Sequence, residues 1–112
     1  MNACSIDESI EEFNIIGEEA RKEQDVNSRK FTALFIQYNT MFFEILGALS
    51  KMQDSGEIIA EPEKKPISYL REILKNDGPE YCYTICFRLK ENAKKQYKIG
   101  VCVRGWPIIK AL

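Results

Sequence analysis

Four cysteines, at positions 4, 82, 86 and 102, and seventeen carboxylates are the first residues to test for chemistry, because the chain contains no histidine. Without imidazole there is no Ser-His-Asp or Cys-His nucleophile, no mixed Cys/His zinc site and no histidine switch near neutral pH. Cys82 and Cys86 have a C-x3-C spacing. In a strand that spacing spans about 13 Å, far beyond what one zinc ion with bonds of about 2.3 Å can bridge. A helix would bring the two thiols together, but the stretch alternates as a strand does, so no metal is expected. The cysteines are sparse for a disulfide scaffold and are read as reduced thiols, Cys4 exposed and the others at least partly buried. A Cys86–Cys102 bridge across a hairpin is the one alternative.

The glycines at 17, 47, 56, 78, 100 and 105 match neither a Walker loop nor a dinucleotide fingerprint. Acidic pairs such as Glu11/Glu12 and Glu18/Glu19 fall on the wet side of a helical pattern, where nothing moves a carboxyl toward acid–base work. No catalytic residue and no cofactor is nominated.

Two patterns remain, and both point to contact. The first is Phe31, Phe35, Tyr38, Phe42, Ile45, Leu49 and Met52, which alternate spacings of four and three as a heptad seam. Leu34, Met41 and Ala48 run beside it, and Ile36, Phe43 and Leu46 widen it further. A helix so apolar around its girth must be packed on at least two sides. The seam is therefore the centre of an intramolecular bundle or an interface with another protein or a second copy of the chain. The second pattern is the basic cluster Arg88, Lys90, Lys94, Lys95, Lys98 and Arg104, with Glu91 the one acid among them. It can keep a sheet soluble, attract the acidic first helix, or touch phosphates as a winged-helix hairpin does.

The elements that position these residues follow from local signals. Ser5 and Glu8 form a capping box that opens a first helix over about 6 to 23, with Ile6, Ile10, Phe13, Ile16 and Ala20 as its apolar stripe. Asp25, Asn27 and Ser28 break the chain and offer caps to the second helix, which carries the seam. Asp54-Ser55-Gly56 ends it, with Gly56 suited to a left-handed C′ position. Residues 57–65 connect, with a short extended piece at Ile58-Ile59. Pro66, Ile67, Leu70, Ile73 and Leu74 predict a short third helix, stopped at Asn76-Asp77-Gly78-Pro79. The period then becomes two. Tyr81, Tyr83, Ile85, Phe87 and Leu89 share a face, Lys90 to Gln96 turn, and Tyr97, Ile99, Val101 and Val103 continue that face on a second strand. Ile108-Ile109 adds a short last element.

The expected fold is α+β, two long helices and a short third packed against a C-terminal antiparallel β-hairpin. It forms one domain over residues 1–112, helical over 5–76 and β over 80–104. Charge is uneven: residues 1–57 carry eleven acids and five bases, and residues 58–112 six acids and eleven bases, within a net charge of −1. No stretch reads as a membrane span or secretion signal, which predicts an intracellular, cytoplasmic protein without a membrane partner. The expected function is a non-catalytic protein–protein interaction module, a small regulatory or assembly subunit acting through the seam. The alternative is a winged-helix-like nucleic-acid binder using the basic hairpin.

Overall fold

The computed structural model describes residues 3–61, 83–101 and 106–112. Helix α1 (Ala3–Lys22) and helix α2 (Arg29–Asp54) precede four strands, β1 (Ile58–Glu61), β2 (Tyr83–Leu89), β3 (Asn92–Val101) and β4 (Ile108–Ala111). The strands form one antiparallel sheet in the order β1-β2-β3-β4. The third helix expected after Pro66 lies outside the described residues.

The helix signals act largely as expected. The Ser28 hydroxyl accepts from the Phe31 amide at 3.0 Å and caps α2. At the other end Gly56 adopts φ +79°, the Glu57 amide reaches Met52 O at 2.8 Å, and the Gly56 amide reaches Gln53 O. Those paired bonds are the Schellman arrangement that a left-handed glycine permits. Helix α1 departs from its signal. It begins at Ala3, so Ser5 lies inside the first turn instead of capping it. Ile6 and Ile10 are anchored in the core, and extending an anchored helix by one turn costs little.

The two helices cover one face of the sheet. Ile58, Ile85, Phe87, Leu89, Tyr97, Ile99, Val101 and Ile109 are buried against Ile6, Ile10, Phe13, Tyr38, Phe42, Ile45, Leu46, Leu49 and Met52. The period-two pattern of β2 and β3 thus faces the helices, as the alternation requires. The hairpin is not alone: Ile58–Glu61 pairs with β2 and Ile108–Ala111 with β3, so both short extended pieces become edge strands. On edge strand β4, the Ile109 carbonyl accepts from the Asn14 side chain of α1 at 2.9 Å.

The hairpin turn is tighter than expected. It occupies Lys90 and Glu91, and β3 starts at Asn92. Leu89 pairs with Asn92 and Arg88 with Gln96, so Lys94 and Lys95 fall in a bulged stretch of β3 and not in the turn. Register also removes the Cys86–Cys102 bridge. Cys86 stands opposite Lys98 and is a free, partly exposed thiol. No helix among the described residues is long and apolar enough to cross a membrane.

Candidate interaction surfaces

Most of the heptad seam is consumed by the chain's own core. Tyr38, Phe42, Ile45, Leu49 and Met52 are all buried between α1 and the sheet, so another protein cannot reach these five as an interface. The spacing identified a core stripe, and α1 and the sheet together supply its covering.

Tyr38 is the centre of that packing. Its ring stacks on Phe13 at 4.1 Å and 19°, and its hydroxyl donates to the Pro107 carbonyl. Gly17 of α1 lies against it so closely that a Cβ there would stand 2.6 Å from Tyr38 Cε1. Burial raises the Tyr38 pKa, partly opposed by Arg21.

The other two seam residues lie at the rim. Phe31 and Phe35 stack at 6.0 Å, and Trp106 sets its edge on Phe35 at 5.3 Å. The Arg21 guanidinium lies 5.1 Å from the Trp106 ring, a cation–π contact. Spacing within α2 could not reveal this cluster, because Trp106 joins it from the far end of the chain.

The side of α2 turned away from the core carries large apolar residues too. Ile36 is 59% exposed, Phe43 40% and Phe35 39%. From Phe31 to Phe43 the helix carries no charged residue, although its outward positions meet water. Continuing toward the C-terminus, a shallow groove of about 910 Å³ runs beside α2, lined by Thr40, Phe43, Glu44, Gly47, Ala48 and Lys51 among others. Gly47 forms part of this wall, and a Cβ placed on it would meet nothing within 4 Å.

The basic cluster divides between the two sides of the sheet. Lys95 turns toward α1, 3.7 Å from Asp7 and 5.1 Å from the Tyr97 ring, and the Tyr97 hydroxyl donates to Asp7. The expected attraction to the acidic first helix thus occurs at one lysine. Tyr97 has a raised pKa from burial and Asp7, while the hydrogen bond to Tyr97 leads the causes that raise Lys95. Near neutral pH the phenol keeps its proton and the lysine its charge, so neither is primed as a base or nucleophile. Arg88 and Lys98 lie on the opposite face, where Lys98 stands directly across from Lys110. Lys90 is exposed at the turn, and Arg104 lies outside the described residues.

Among the described residues no group of three or more Cys, Asp or Glu side chains is placed to hold a metal. No family model, no curated protein and no solved structure matches this chain.

Proposed function

We propose that the protein is a non-catalytic interaction module, a small regulatory or assembly subunit whose working surface is the outward side of α2. The observation that carries this reading is the uncharged run from Phe31 to Phe43, with Ile36 and Phe43 exposed on it. A helix that met only water there would gain from lysine and glutamate on that side. Instead the exposed positions hold isoleucine and phenylalanine among threonine, alanine and glutamine, and the large apolar side chains lose contact with water favourably when another protein covers them.

A photo-crosslinking residue at position 36 tests the idea in extracts of the cells that make the protein, with the same residue at Glu12 on exposed α1 as the control. The reading expects a discrete adduct from position 36 and none from position 12. No adduct from position 36 refutes it.

One observation favours the alternative, nucleic-acid contact through the basic hairpin. Lys98 and Lys110 face each other across β3 and β4, an arrangement whose repulsion an anion would relieve. If phosphates bind there, duplex or single-stranded nucleic acid should be held in a strongly salt-dependent way. Changing Lys98 and Lys110 together to Ala should flatten the log–log salt slope by about two units. The engagement of Lys95 by Asp7 and the net charge of −1 favour the protein-interaction reading.

A further inference from the structure

The groove beside α2 has a chemistry that identifies its occupant. We infer that it seats α2 of a second copy of this chain, laid antiparallel, with a two-fold axis passing between Gly47 and Ala48. This rests on the interaction-module reading and names the partner.

A two-fold axis at that point sets six of the groove residues against one another across the two copies, as an isologous contact requires. The axis brings Gly47 opposite Ala48, Glu44 opposite Lys51 and Thr40 opposite Ser55. All six line the groove, and every pair is chemically matched. At the axis, two small residues let the helix backbones approach. One turn away on either side, a carboxylate meets an ammonium, and this contact occurs twice. Beyond that two short hydroxyls meet.

Among the described residues neither Glu44 nor Lys51 has an ion-pair partner, although Lys51, in the last turn of α2, also meets the negative end of the helix dipole. Glu44 and Lys51 are seven residues apart on α2, about 10 Å along its axis, which is too far for the direct pairing that spacings of three and four allow. Gly47 supplies an independent observation. Glycine inside a helix is costly relative to alanine, by about 0.5–1 kcal/mol. Among the described residues no neighbour requires it, since a Cβ there would meet nothing within 4 Å. A glycine whose space is open in the monomer suits a position where another backbone comes close. The stripe is narrow, so the dimer belongs with the small, reversible interfaces.

The test is sedimentation equilibrium of the whole chain from about 10 to 300 µM, a range suited to a weak dimer, with four variants. The wild type should approach twice the monomer mass. Glu44→Lys and Lys51→Glu, taken singly, each set like charges against each other twice and should weaken association about tenfold. The double variant restores opposite charges and should return to within about threefold of the wild type. Gly47→Leu places a bulky side chain on the axis and should abolish the dimer, with unchanged helical circular dichroism. The reciprocal rescue reports contact between copies, which a merely local charge effect would not produce. Should either single swap disturb the fold, the other single swap and Gly47→Leu still decide. A monomeric wild type across the range, or single swaps without effect in folded protein, overturns the second-copy proposal. A monomer that still forms an adduct with a different protein at position 36 leaves the interaction module standing. A monomer with no adduct overturns both.

Discussion

Replacing Gly17 with Ala should destabilise this protein, whereas replacing Gly47 with Ala should stabilise it. Both glycines lie inside helices, so both substitutions gain about 0.5–1 kcal/mol of helix preference. Their surroundings decide the sign. At position 17 the new methyl would stand 2.6 Å from Tyr38 Cε1 and 3.1 Å from an Arg21 guanidinium nitrogen. Carbon atoms pack best at about 3.5–4.0 Å, so the ring must retreat by about 1 Å. Phe13 is stacked on that ring at 4.1 Å, and the Tyr38 hydroxyl is committed to Pro107. Overpacking of this kind costs roughly 1–3 kcal/mol, and loosening the hydroxyl bond costs about 1 kcal/mol more. The net loss is about 2 kcal/mol, which lowers Tm by about 8 °C in a domain of this size. At position 47 nothing lies within 4 Å, and Tm should rise by about 2–4 °C. Thermal and urea unfolding by circular dichroism, at about 1 µM so that self-association does not contribute, measures both. A Gly17→Ala protein as stable as the wild type would refute the close approach of α1 to Tyr38.

Three further outcomes are expected. Tyr38 and Tyr97 both have pKa values raised above the usual 10.0 by burial; the stability each contributes is complete below that value and is lost as pH climbs through the raised one. Melts from pH 9 to 11.5 should therefore show a steepening loss of stability that Tyr38→Phe and Tyr97→Phe each reduce. Asn14→Ala removes the side chain that donates to the Ile109 carbonyl, and hydrogen exchange of β4 amides should accelerate about fivefold, the equivalent of about 1 kcal/mol. Cys86, free and partly exposed, should react with a chromogenic thiol reagent in the folded protein, and Cys86→Ser should lower the count of thiols that react in the native state by one.

Where the sequence was legible, the information was local. Ser28, Gly56 and the stripe Ile6, Ile10, Phe13 need only their neighbours along the chain to declare a cap, a stop and a buried face. The alternation of Ile85, Phe87 and Leu89 likewise sets which side of β2 is dry, whatever lies across from it. The polar run from Lys90 to Gln96 misleads for the same reason. Lysine and asparagine have weak strand preference, yet Arg88 pairs with Gln96 and the Leu112 amide reaches Gln96 O at 2.8 Å. Pairing on both sides of β3 overrides the local preference and pushes the excess residues into a bulge.

The second helix shows why periodicity alone could not place the interface. A seam of apolar residues at spacings of three and four states that one stripe is dry, but it is silent on which surface dries it. Here the stripe of Tyr38, Phe42, Ile45 and Leu49 meets α1 and the sheet of its own chain, which relieves any need for another molecule at those residues. The demand then moves around the helix to Ile36 and Phe43, which remain exposed. In a list of apolar positions these two look like extra width on the seam. They become informative only once the core of the described residues is seen to form without them. The same holds for Gly47, whose position inside a helix looks like a simple cost until the space around it is seen to be open. Candidate interaction residues in a small domain of this kind are therefore those whose chemistry the folded monomer leaves unexplained, and α2 concentrates them on one side.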